Sequence, residues 1–220
     1  MREASDEDGG TQAEIRSSDE LMIVLLGGYV HDVASPLAVL TSNLPVVRSL
    51  PIGEGGSEGE QTAAELAEIV DDLELATARL RELTGDLRLY VGASAQDKSL
   101  EEIVRTALRL AHSHLSRRVE ITVDVDPSYR PVAAPWLVLR AICATLVAIT
   151  IDNVPGKKSR LALRVRESGL AIEMTPPPTR DPSRTVEAAT KRVGTQADVS
   201  LSAERIEVHL ALRWLGRDVP

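Results

Sequence analysis

The stretch Gly27-Gly28-Tyr29-Val30-His31-Asp32-Val33-Ala34-Ser35-Pro36-Leu37 holds the residues best suited to chemistry. Imidazole is a good nucleophile near neutral pH, because its ordinary pKa of about 6.5 leaves much of it unprotonated. A neighbouring carboxylate such as Asp32 can accept a hydrogen bond from one ring nitrogen of His31, fixing the tautomer and leaving the other nitrogen free to attack phosphorus. Ser35 lies one helical turn on and could orient a water or a phosphoryl oxygen; equally, it could be a small exposed helix residue with no role. The neighbours along the same ridge are Gly27, Gly28, Ala34 and Ser35, with Ala38 a further turn on, so nothing bulky shields the imidazole. Two glycines in a helix cost about 1 kcal/mol each against alanine. Either helix propensity is sacrificed to leave a histidine bare, or small residues let another element pack closely. Pro36 lacks the N–H that would bond the Asp32 carbonyl, and its ring crowds that turn at about 3 kcal/mol. A kink one turn after the histidine is the expectation.

The elements that must position this group follow from hydrophobic spacing. Apolar residues fall at Ile23, Leu26, Val30, Val33, Leu37, Leu40, Leu44 and Val47, alternating steps of three and four that mark one seam of a long helix. His31 adjoins that seam without belonging to it, so it faces outward. The segment 51–60 carries four Gly, one Pro and three Glu, the chemistry of a turn or linker. The same alternation then returns at Leu66, Ile69, Leu73, Ala76, Leu80, Leu83, Leu87 and Tyr90. Two matched seams on a short loop predict an antiparallel helical hairpin over 19–92. A lone hairpin buries too little to offset the entropy of ordering it, so a homodimer forming a four-helix bundle is expected, covering flanking residues such as Leu25, Val46, Val70 and Leu75.

Residues 1–18 are acidic and polar and read as a disordered tail. Over 98–216 the pattern changes. Ser99 is placed to cap a helix carrying Ile103, Leu108, Leu110 and Leu115, with Glu101 and Glu102 in its first turn. Val119, Ile121, Val123 and Val125 alternate as in a half-buried strand, and Pro135 opens another helix. Strands are expected at 161–167 and 170–175, joined at Ser168 and Gly169, then a helix over 181–193 and strands over 197–202 and 205–214. Together these predict an α+β protein whose second part is a sandwich, with helices on one face of a mainly antiparallel sheet.

Composition narrows the class. Lys and Arg number 25 against 33 Asp and Glu, a formal net charge of −8, which disfavours nucleic acid as a partner. With no Phe, three Tyr and two Trp, the chain also lacks stacking platforms for single strands. The one cysteine, Cys143, sits in an apolar run and reads as an inert buried thiol. The continuous apolar runs at 21–30 and 141–151 are short for a bilayer span, and the polar start is unlike a signal peptide. A cytoplasmic protein with no membrane partner is the expectation.

His31-Asp32-x-x-Ser35-Pro36-Leu37 inside a heptad hairpin resembles the phosphoacceptor box of two-component sensor kinases. The form His-Asp-x-x-Ser-Pro is more similar still to the bacterial histidine phosphotransferases that combine a kinase-like dimerisation hairpin with a degenerate ATPase-like domain. That resemblance implies a phosphorelay role. His31 would accept a phosphoryl group from the receiver of a hybrid histidine kinase and pass it to a response-regulator receiver domain. Mg2+ would be supplied by the partner receiver, and this chain would need no cofactor of its own. The small residues Gly27, Gly28, Ala34 and Ala38, with Pro36, would form the docking face, and Arg79 or Arg81 on the facing helix could approach His31 and hold the phosphoryl group. Where the kinase family keeps magnesium-binding asparagines, this sequence has Thr145 and Ile149, with Asn153 one turn too late. The expected Asp-x-Gly-x-Gly reads Met174-Thr175-Pro176-Pro177-Pro178, and the four glycines after residue 98, Gly156, Gly169, Gly194 and Gly216, are scattered. Nucleotide chemistry is therefore not expected. The alternative to a phosphotransferase is a non-catalytic adaptor. His112 and His114 make a poor metal pair on the helix expected there and read as solvated, while His209, on the strand face opposite Ile206, Val208, Leu210 and Leu212, either faces solvent or packs under a helix.

Overall fold

A computed structural model describes residues 18–49, 57–93, 97–115, 119–151, 158–166 and 168–215. Two long helices, α1 (Ser18–Ser49) and α2 (Ser57–Tyr90), pack side by side. The link between them is too short to run back along α1, so the two helices are antiparallel. Most of the expected tail lies outside the described residues, as do 51–56 of the expected linker; from Ser57 that linker is already helix. α1 runs on through Pro36 and also through Pro45.

The inner face of α1 is not the stripe that its spacing suggested. Ile23 and Val30 are 67% and 65% exposed, and Leu26, Leu37 and Leu44 are exposed as well, whereas Leu21, Leu25 and Pro36 are buried. The cause is that α1 is apolar nearly all round, so two stripes compete and period alone cannot rank them. α2 has fewer apolar residues, and its seam does turn inward: Ala76, Leu83 and Tyr90 are buried. Val46, Val70 and Leu75 remain exposed, while Leu25 is covered within the chain itself. Contrary to expectation, Glu20–Ser49 is also long and apolar enough to cross a bilayer by length and composition, because the run tolerates its few polar residues.

α2 ends where Gly92 adopts φ +80 and the amides of Gly92 and Ala93 bond the carbonyls of Leu89 and Arg88. Beyond it come α3 (Leu100–Leu110), β1 (Val119–Asp124), α4 (Pro135–Thr150), β2 (Ser159–Arg166), β3 (Gly169–Thr175), α5 (Ser183–Arg192), β4 (Ala197–Leu201) and β5 (Ile206–Ala211). Ser99 caps α3 reciprocally with Glu102, as expected; the Ser99 N–H bond holds the Glu102 carboxyl below the usual range. The sheet order is β1-β2-β3-β5-β4, with β1 parallel to β2 and every other pair antiparallel. At the β2–β3 turn only glycine fits position 169, since a Cβ there would stand 1.9 Å from the Leu210 carbonyl oxygen. The last expected strand stops at Ala211, and Trp214 instead makes a single bridge to Pro131 and an edge contact with Tyr129.

One core joins both parts. Leu21, Leu25, Leu89 and Tyr90 from the hairpin pack in the same cluster as Leu100, Ile103, Ile142, Leu146, Leu163 and Ile172. Arg140 of α4 clasps the joint, donating from Nε to the Tyr90 carbonyl at 2.8 Å and lying over the Tyr90 and Trp136 rings.

Candidate functional site

Val24, Gly28 and Asp32 stand four residues apart on α1 and so form one ridge. The turn after α3 lies along it. His114 Nε2 is 3.0 Å from the Val24 carbonyl, and Ser113 fills the space where a Gly28 side chain would stand, its Oγ only 1.7 Å from an ideal Cβ. His112 Nδ1 reaches to 3.9 Å from Asp32 Oδ2. Of the two adjacent glycines, Gly28 is therefore explained by close packing within the chain, while Gly27 faces open space. α3 ends at Leu110, so His112 and His114 sit in a turn and not on a helix; His114 is half-buried and bonded, and only His112 matches the solvated reading, at 70% exposed.

His31 projects into solvent, its side chain 83% exposed, with Nδ1 3.5 Å from Asp32 Oδ1. Asp32 is only 13% exposed. An ionised carboxylate can only accept, so the contact favours a proton on Nδ1 and a lone pair on Nε2. Beside the pair opens a groove of about 660 Å³ walled by Leu108, Arg109, His112 and Ser113 and by Val119 and Ile121 of the edge strand β1. Ile121 is more exposed than the expected half-buried strand implies, because it lines this groove.

The arginine in the groove wall is Arg109. It donates from Nε and Nη2 to the two oxygens of Asp86 at 2.7 Å each, and Glu82 lies 3.2 Å away. The Asp86 hydrogen bonds push the Arg109 pKa up, and burial with the Asp86 charge raises that of Tyr29. Arg79 and Arg81 do not line the groove. Two residues apart, they point to sides of α2 about 200° apart: Arg79 is tied to Glu82 at 2.5 Å, and Arg81 lines a separate hollow with Val70 and Leu75. Ser35, Ala34 and Ala38 are exposed, whereas Pro36 is buried and offers no docking surface. Sequence reasoning missed Arg109, Asp86 and the link from His112 to Asp32. The available signal was Gly28, spaced between Val24 and Asp32.

Thr145 and Ile149, the positions that the resemblance would match to asparagines, are fully buried, and Thr145 Oγ1 donates to the Ala141 carbonyl at 2.9 Å. Met174 and Pro178 are buried too, and Asn153 lies outside the described residues. These side chains do not fit a magnesium nucleotide. Cys143 is buried, and desolvation drives its thiol pKa far up. His209 contacts Ser168 Oγ at 3.2 Å on the side of β5 away from the core.

No family model matches the chain, and no curated protein does. Among solved structures, the chain is similar to a bacterial phosphotransferase, with TM-score 0.44, 13% identity, and coverage of 89% of this chain and 97% of that one. It is also similar to the histidine kinase AdeS of Acinetobacter baumannii, with TM-score 0.40, 10% identity, and coverage of 84% and 98%. A third likeness is to the mycobacterial sensor histidine kinase MprB, with TM-score 0.38, 17% identity, and coverage of 55% and 100%.

Proposed function

We propose that this protein is a phosphorelay histidine phosphotransferase that works without ATP. A receiver domain carrying an aspartyl phosphate and its own Mg2+ docks beside His31. The Nε2 lone pair attacks phosphorus in line as the bond to the aspartate oxygen breaks, so the carboxylate leaves and an N–P bond forms. The ring then carries a positive charge, and Asp32 beside Nδ1 offsets it. A second receiver aspartate later reverses the step. Donor and acceptor supply the metal, so this chain need provide only a positioned nucleophile. The observation that carries the reading is an imidazole 83% exposed, with a carboxylate only 13% exposed beside its Nδ1. A homodimer through the exposed stripe of Ile23, Leu26, Leu37 and Leu44 belongs to the same proposal.

Incubation with a 32P-labelled receiver tests it. Label should pass to the wild type, should not pass to His31→Gln, and should not appear from ATP. Regulation of a receiver without label transfer would support an adaptor instead.

A further inference from the structure

Asp32 faces two imidazoles, not one. Its Oδ1 is 3.5 Å from His31 Nδ1 and its Oδ2 3.9 Å from His112 Nδ1. His112 is not placed there by chance of a loose loop. The two residues that follow His112 are both held against α1: Ser113 by the gap that Gly28 leaves, and His114 by the Val24 carbonyl at 3.0 Å. On the other side, the His112 amide donates to the Arg109 carbonyl at 3.2 Å, and the Arg109 side chain is clamped to Asp86. The turn is thus seated on the 24, 28, 32 ridge and tied to α2, and His112 comes to Asp32 from a fixed position.

We infer that His112 is a positioning residue for phosphotransfer at His31, acting through Asp32; this rests on the phosphotransferase reading. With the edge of the His112 ring 3.9 Å from Oδ2, an electrostatic approach and not a hydrogen bond, the carboxylate is favoured in the rotamer that presents Oδ1 to His31. That keeps the proton on His31 Nδ1 and the nucleophilic lone pair on Nε2. The second domain thereby contributes a residue to the phosphoacceptor site, a task distinct from supporting the hairpin.

Two measurements on the full chain test this. In long-range 1H–15N spectra at about pH 8.5, where ordinary imidazoles are neutral, the His31 ring is identified by its loss in His31→Gln. It should show the Nδ1–H tautomer in the wild type, move toward a mixture in His112→Ala, and return in His112→Asn, whose amide N–H offers the carboxylate a comparable dipole. An unchanged His31 tautomer in His112→Ala overturns the inference. The initial rate of label uptake should fall about tenfold in His112→Ala with the KM for the receiver unchanged, a loss of the size expected for directly coupled neighbours. In Asp32→Asn, adding His112→Ala should cost nothing further; fully additive losses also overturn it. If no receiver labels the wild type, the phosphotransferase reading fails, and the tautomer spectra still decide whether His112 positions Asp32.

Discussion

Gly27 and Gly28 are chain neighbours with opposite surroundings, and they make the sharpest comparison at the scale of single residues. A methyl group at 27 meets nothing within 4 Å, so Gly27→Ala should gain about 1 kcal/mol of helix propensity. A methyl group at 28 collides with Ser113 Oγ and Cβ, so Gly28→Ala should lose about 1 to 3 kcal/mol in spite of the same propensity gain. Urea unfolding of both variants reads the two signs. The sequence treats the pair alike, because spacing assigns a residue to a helix face and is silent on what lands there. His31 and Asp32 were legible since they are adjacent and their chemistry is local. Arg109 and His112 were not, because they reach the groove beside α1 only through a fold that closes over the intervening helix α2.

At the scale of elements, ion pairs and aromatic contacts hold the parts together. Arg109 on α3 and Asp86 on α2 form a bidentate pair whose carboxylate is 8% exposed and whose guanidinium is 32% exposed. Asp86→Ala leaves that cation half-buried without its main partner, and the expected cost is about 1 to 3 kcal/mol, below that of a fully buried pair. Faster amide exchange in α3 would register it. Where α2 meets α4, burial pushes the Tyr90 pKa up to about 12, with the nearby Cys143 adding to the shift. The folded pKa is above the unfolded value of 10.0, so this contribution is intact below pH 10 and is lost as pH rises toward 12. Tyr90→Phe should flatten the alkaline limb of a stability profile over that window. The starts of α3 and α4 and most strands of the sandwich were readable, since Ser99, Pro135 and the alternating strands speak locally. The inward stripe of α1 was not, because apolar residues surround the helix and tertiary packing alone selects among them.

At the scale of the whole molecule, the exposed apolar stripe on α1 calls for a cover. A second copy is proposed, which would give a mass twice the 23.8 kDa of the chain in light scattering at micromolar concentration. Leu37→Glu should shift that mass toward the monomer by burying a charge at the seam; a wild type that is already monomeric would sink the proposal. The resemblance behind the fold expectation concerned the order of elements, which hydrophobic period encodes well. The docking of the two parts was beyond its reach, because Leu21 and Leu25 differ in no local way from the exposed leucines beside them. Their burial has a mechanical consequence. The named contacts between α1 and the second domain run from Leu21 to Asp32, after which the helix projects about 26 Å further. The hairpin is a cantilever clamped along the first half of α1, and the displacement of such a beam grows with distance from the clamp. His31 lies at the root, where thermal bending moves it least.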